Sequence, residues 1–419
     1  MNDTLLLDPI RILQGPDQPV RDGAVLLESG VLQGFDQAAR DRADQLGATA
    51  TQAPGQLIAP CLVDPHSVLE SPFSGRAETI DSLRRCAAAA GYGQVALLPR
   101  SPTWRDSPER LIGFRDHDPR EVTIHLWAGF SRGGNGSELA SHGDLLDLGA
   151  IGLADDDALI PMPLLERGLL LGEMGSAPVL VAPRDPALQG DGMVREGVET
   201  LRAGWPADPV TSETLPLGQV LLLHQRHPER QLRLMNLSTA AAVQQLSGCE
   251  SPPISSVSWW HLLTDRSMLA SSNPGWRVCP SLGGPDDRQL LIQTVQQRTI
   301  TAVAVHAVPL DAEDMLLPGD QRPAGLSGHH VVLPALWNAL VRPGHWSVED
   351  LWQALSFGPS ALIDQPPEQL DQGSRRWLLF DPDSRWTIGS DTPGAPRAAN
   401  IPWLGRELQG RVVACGLSC

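Results

Sequence analysis

The sequence predicts an α/β chain: a (β/α)8 TIM-type barrel beside a small β-sandwich-like domain built from both termini. Three observations carry that expectation. Short apolar runs broken by Gly and Asp crowd the two ends. The middle alternates short apolar strands with helical stretches. Eight such strands can be counted in it. The barrel is expected over residues 58–369, and the small domain over 1–57 plus 370–419. A doubly wound open sheet is the alternative reading of the same alternation.

At the N-terminal end, Leu5-Leu6-Leu7, Ile10-Arg11-Ile12-Leu13 and Ala24-Val25-Leu26-Leu27 read as strands. Turns at Gly15-Pro16-Asp17 and Asp22-Gly23 join them. The C-terminal end repeats the style with Trp377-Leu378-Leu379-Phe380, Trp386-Thr387-Ile388 and Gly410-Arg411-Val412-Val413-Ala414. Between them the barrel strands are expected at 57–63, 94–98, 122–126, 150–153, 178–181, 232–236, 254–257 and 302–305. Helical runs such as 78–90 and 215–227 separate them.

Composition removes several function classes. The chain has 419 residues, 42% of them hydrophobic, enough for a sizeable core. No apolar run approaches the roughly 18 residues of a membrane helix. With 32 basic and 49 acidic residues the net charge is −17, which opposes nonspecific nucleic-acid or anionic-membrane binding. No lysine is present, so all 32 basic residues are arginine. A Schiff-base, pyridoxal-phosphate, Walker-A or carboxylated metal-bridging lysine is therefore excluded. The six cysteines (Cys61, Cys86, Cys249, Cys279, Cys415 and Cys419) form no CxxC pair and are expected as buried thiols. Met1-Asn2-Asp3-Thr4-Leu5-Leu6-Leu7-Asp8 has neither a basic nor a long apolar signal region, so the cytoplasm is the expected compartment.

In a barrel of this type the site lies at the C-terminal ends of the strands. The first strand is followed by Asp64-Pro65-His66-Ser67-Val68-Leu69-Glu70, and the second by Pro99-Arg100-Ser101-Pro102. The fourth runs into Ala154-Asp155-Asp156-Asp157, and the fifth into Ala182-Pro183-Arg184-Asp185. Asn236-Leu237-Ser238-Thr239 follows the sixth, and His306-Ala307-Val308-Pro309 the last.

These segments resemble a known family. Pro60-Cys61-Leu62-Val63-Asp64-Pro65-His66 resembles the Pro-Gly-(Leu/Ile)-(Val/Ile)-Asp-x-His-x-His-x-Arg motif of dihydroorotases, in the cyclic amidohydrolase group of metal-dependent barrels. Ala87-Ala88-Ala89-Ala90-Gly91-Tyr92-Gly93-Gln94-Val95 is similar to that family's helix and glycine turn before strand two. Gly149-Ala150-Ile151-Gly152-Leu153-Ala154-Asp155-Asp156 resembles its strand ending in Asp-Asp-Gly. Asn400-Ile401-Pro402-Trp403-Leu404-Gly405 with Gly410-Arg411-Val412 resembles its C-terminal Asn-Thr-Pro-Phe-x-Gly … Gly-x-Val. The likeness runs nearly end to end.

The resemblance implies zinc-assisted opening or closure of a cyclic amide, in which the metal lowers the pKa of bound water and polarises the carbonyl. It implies ligands from a His-x-His pair, a bridging carboxylate, two further histidines and a final aspartate that shuttles the proton. Carried over residue by residue, that set is largely replaced. The first histidine is His66 and the second Val68; the bridging carboxylate is Asp155; the later histidines fall on Ala182 and Asn236; the aspartate falls on Val305, beside His306. The substrate-gripping arginine is Glu70, and the asparagine after strand two is Arg100. A further substrate asparagine falls on Cys279, and its arginine on Gly283.

Each surviving residue has a plainer reading. His66 reads as a zinc ligand or as a hydrogen-bonded relic of the barrel mouth. Asp155, Asp156 and Asp157 read as a hard-cation site or as a solvated turn or helix cap. His306 reads as a general base or anion contact, or as packing at the barrel rim. His329-His330, after a glycine loop, reads as an anion-binding loop or as structure, and Trp259-Trp260-His261 as a ligand-stacking pair or as a plug. The resemblance then implies a non-catalytic dihydroorotase-like pseudo-enzyme without a cofactor. It would be an oligomer partnered with aspartate transcarbamoylase, binding neither nucleic acid nor membrane. The alternative is an active dihydroorotase or related cyclic-amide hydrolase, with zinc in an altered shell of His66, Asp155 and His306. A third reading is a small-molecule binder using the vacated mouth.

Overall fold

A computed structural model describes residues 4–114, 118, 120–270, 275–389 and 394–418. Cys419 and the first three residues of the N-terminal reading lie outside the described residues. The strands of the N-terminal end are β1 (Thr4–Ile12), β2 (Arg21–Glu28), β3 (Val31–Phe35) and β4 (Ala50–Pro60). β5 (Leu62–Ser67), β6 (Tyr92–Leu97), β7 (Thr123–Gly129), β8 (Gly152–Ala154) and β9 (Val179–Val181) follow. A two-residue parallel pair, β10 (Val194–Arg195) and β11 (Ala207–Asp208), precedes β12 (Leu232–Leu234), β13 (Ser256–Ser258) and β14 (Ala302–Ala304). β15 (Trp377–Thr387) and β16 (Glu407–Cys415) close the chain.

Both termini share one six-stranded sheet in the order β16-β15-β4-β1-β2-β3. Alternating side chains give it two apolar faces. Leu6, Ala24 and Leu26 on one face pack against Ala39 and Ala43 of helix Asp36–Leu46. That helix stops at Gly47, whose φ of 64° supplies the left-handed cap. The other face carries Leu7, Ile10, Ile12, Val25 and Leu27 together with Ile58 and Leu379. The strand expected at 57–63 is in fact two strands. Pro60 ends β4, paired with Trp377, and Leu62 opens β5 with its amide bonded to the Gly91 carbonyl. The chain changes sheets at Cys61 because Pro60 has no amide hydrogen with which to continue the ladder.

β5-β6-β7-β8-β9-β12 form a run of parallel neighbours, and β13 pairs in parallel with β14. A bridge between Leu234 and Ser255 joins the two sets. Closure comes where the Val68 amide donates to the Ala307 carbonyl at 2.7 Å and the Val305 amide to Asp64 Oδ1 at 3.0 Å. The result is a closed barrel of eight strands, with Val63, Ala96, Trp127, Ala154, Leu180 and Ala302 in one buried cluster. Trp127 is fully buried and donates its indole N–H to the Pro65 carbonyl at 2.9 Å. Outer helices start where the sequence offers caps; Thr79 and Ser82 form a reciprocal capping box for Ile80–Ala89. No helix among the described residues is long and apolar enough to cross a membrane.

Candidate functional site

The strand ends converge on one mouth, as barrel geometry requires. His66, on β5, is fully buried. Its Nδ1 lies 3.1 Å from His306 Nδ1, and its Nε2 lies 2.8 Å from Ser256 Oγ at the start of β13. Burial first, and then the neighbouring His306 ring, push the His66 pKa down to about 3. Beneath it, Asp64 accepts from Ser67 Oγ at 2.5 Å and pairs with His329 Nε2 at 2.9 Å. His329 therefore answers a buried carboxylate, while the His330 pKa is lowered by burial to about 4.

The acidic run after β8 is neither solvated nor a cap. Asp155 accepts from the Ser131 amide at 2.9 Å and the Ser131 hydroxyl at 2.6 Å, and burial raises its pKa to about 6. Asp156 takes Arg100 Nη1 at 2.8 Å. Asp157 takes Arg184 at 2.7 Å and His306 Nε2 at 3.2 Å. Against the desolvation of burial, His306 and then Arg184 hold the Asp157 carboxyl far below the ordinary range. His306 itself sits at a positive φ of 46°, in the left-handed region that side chains rarely adopt.

Glu70 and Arg100 are partners. Arg100 Nε lies 3.0 Å from Glu70 Oε1, so the guanidinium bridges Glu70 to Asp156. Cys279, its thiol pushed up to about 12 by burial, lines the same opening as Arg100 and Asp157, a cleft of about 570 Å³. Asn236 lies just past β12 with both amide atoms unpartnered among the described residues. Trp259 and Trp260 are buried, and Trp260 donates to the Gly275 carbonyl at 2.8 Å, filling space as a plug would.

A second buried cluster escaped the sequence reading. Arg195 pairs with Asp208 at 3.0 Å and Glu213 at 3.4 Å. Glu213 also accepts from the Ser238 amide at 2.7 Å and Thr239 Oγ1 at 2.6 Å. The Ser238-Thr239 pair after β12 was its visible trace; its partners lie more than twenty positions upstream.

Similarity to known proteins agrees with this architecture. A probable dihydroorotase-like protein of Synechocystis sp. is 32% identical over 403 residues, spanning 88% of this chain and 90% of the relative. The chain belongs to the dihydroorotase family. A dihydroorotase of Anaeromyxobacter dehalogenans is 27% identical, over 87% of this chain and 86% of its own. No model of a protein family matches the chain. Among solved structures, an L-hydantoinase (dihydropyrimidinase) from Arthrobacter aurescens has a TM-score of 0.74 and 17% identity, over 99% of this chain and 94% of the other. A D-hydantoinase from a Thermus species has a TM-score of 0.76 at 17% identity. Those structures share the fold.

This dihydroorotase-family barrel can be tested against the metal pair that the resemblance implies. Val68, Ala182 and Val305 carry no donor atom. Both nitrogens of His66 are engaged, and the Asp155 carboxylate is turned to Ser131. Among the described residues no three His, Cys, Asp or Glu side chains converge as metal ligands. The residues present do not fit a two-zinc centre.

Proposed function

We propose that this dihydroorotase-family chain is a pseudo-enzyme. It retains the barrel as a scaffold, does not hydrolyse dihydroorotate, and serves as a structural or regulatory partner of aspartate transcarbamoylase. The observation that carries the reading is the tied-off His66 ring, held at both nitrogens by His306 and Ser256. A metal-binding imidazole needs one free lone pair aimed at the ion. The charge reversal at the rim supports the same reading. Glu70 stands where a cation would grip the substrate carboxylate, and Arg100 is already spent on Glu70 and Asp156. The Synechocystis relative, too, is named dihydroorotase-like.

The transcarbamoylase partnership rests on the family resemblance, and the retained core is compatible with a scaffold role. The test has two arms. Protein purified without chelator is analysed for metal and assayed for dihydroorotate hydrolysis; far less than one zinc per chain and no turnover are expected. Aspartate transcarbamoylase from the same cell is then mixed with it and run by size exclusion, with co-elution expected. Stoichiometric zinc with turnover overturns the pseudo-enzyme reading in favour of an active hydrolase. Separate elution overturns the partnership.

A further inference from the structure

Two cysteines from opposite ends of the chain meet at the seam between the barrel and the terminal sheet. Cys61 stands where the chain leaves β4 for β5, and Cys415 is the last residue of β16, an edge strand of that sheet. β15 runs between β4 and β16, with Leu378 opposite both Ala59 and Cys415. Ala59, Cys61 and Leu378 belong to one buried cluster, and Cys415 packs against it. There the two side chains share a hydrogen bond, and both are free thiols. Cys61 is fully buried, and its carbonyl accepts from Ser356 Oγ at 2.7 Å, so its place is fixed. Cys415 is half-buried. The bond from Cys61 lowers the Cys415 pKa against the desolvation of burial, helped by the Leu417 amide and the Arg376 guanidinium. Burial, and then Cys415, hold the Cys61 thiol well above its ordinary range. Thiol oxidation needs such a pair, one sulfur to attack and one to resolve.

We propose that Cys61 and Cys415 form a peroxide-sensitive switch, in which a disulfide staples the last strand of the terminal sheet to the point where the chain enters the barrel. The Cys415 thiolate attacks one oxygen of hydrogen peroxide, breaking the O–O bond and giving a sulfenic acid and hydroxide. The Cys61 sulfur then displaces the sulfenic hydroxyl, and its proton leaves with that group as water. Two thiols and one peroxide thus become one disulfide and two waters, the sulfur pair losing two electrons and the peroxide gaining them. A disulfide draws its sulfurs to about 2 Å, so the end of β16 has to move inward. It is free to do so because β16 has a strand neighbour on one side only. The bond would close nearly the whole chain into one loop, which restricts the unfolded state more than a short loop does. Burial raises the Cys86, Cys249 and Cys279 thiols, which makes them slower to attack. The switch does not depend on loss of hydrolysis or on the transcarbamoylase partnership.

The test exposes the full chain to a small excess of hydrogen peroxide, alkylates the remaining thiols and maps the peptides without reductant. Of the six cysteines, two thiols are expected to disappear, with one new cross-linked pair joining Cys61 to Cys415 that dithiothreitol separates. The oxidised chain is expected to unfold at a higher urea concentration than the reduced chain. Cys415→Ser is expected to lose both the bond and that shift. Cys61→Ser is expected to leave Cys415 as a sulfenic acid that dimedone traps. Should that buried variant fail to fold, Cys415→Ser at the strand end carries the test alone. A bond from Cys415 to Cys419, a Cys415 sulfinic acid beside an alkylated Cys61, or no loss of thiols overturns the proposal. So does an unchanged urea midpoint in the cross-linked chain.

Discussion

His66 and His306, 240 positions apart, meet Nδ1 to Nδ1 at 3.1 Å, each with its other nitrogen bonded, to Ser256 and Asp157 respectively. One ring must donate and the other accept, and either polarity leaves His66 without a free lone pair for a metal. The mouth of the barrel is thus held together by its own side chains.

Refilling the ligand positions alone should not revive hydrolysis. Val68→His, Ala182→His, Asn236→His and Val305→Asp together are expected to raise zinc content while turnover of dihydroorotate stays at background. Glu70 would still present a carboxylate to the substrate carboxylate. Elemental analysis and a carbamoyl-aspartate assay on the same sample check both halves, and restored turnover would refute the argument.

Arg195 answers two buried carboxylates, Asp208 and Glu213. Arg195→Met should leave both without a cation and cost about 3–5 kcal/mol. Urea unfolding against the parent chain measures it, and a change under about 1 kcal/mol would contradict the assignment.

Acid should loosen the fold through a buried histidine. Burial, then the charge of Arg195, lowers the His261 pKa from its ordinary 6.5 to about 3, so the ring is neutral in the fold and binds a proton once unfolded. A depressed pKa contributes stability above 6.5 that is lost as pH falls toward 3, at about 1.4 kcal/mol per pH unit. The urea midpoint should fall between about pH 6.5 and pH 5. His261→Gln should flatten that slope, and an unchanged slope would rule the residue out as a source.

Trp352 ties the barrel to the terminal sheet, donating its indole N–H to the Pro60 carbonyl at 3.0 Å while fully buried. Trp352→Phe should cost about 1–3 kcal/mol by leaving that carbonyl unpaired. Hydrogen exchange should show the loss first at the β4–β15 pairing, and a loss confined elsewhere would argue against this tie.

Much of the scaffold was legible because strands and helices announce themselves by local periodicity. The sheet change at Cys61 was not, since 57–63 reads as one apolar run and only the pairing with Trp377 divides it. Glu70 and Arg100 illustrate the harder limit. Each looks like a lost contact when judged at its own position, and their partnership exists only between positions thirty apart in the chain. Asp157 and Arg184 were visible as residue types after their strands, but the ion pair between them was not. Long-range charge pairing leaves no periodic trace.

The terminal sheet has a consequence for synthesis on the ribosome. β1, β2, β3 and β4 emerge first and can pair among themselves, yet the Leu57–Pro60 edge of β4 is covered by β15, whose first residue is Trp377. Until nearly the whole polypeptide has been made, that edge offers unsatisfied amide and carbonyl groups beside apolar Ile58 and Ala59. A nascent chain stalled inside the barrel, or one shortened before Trp377, would therefore carry a sticky strand, and chaperone demand should peak late in translation.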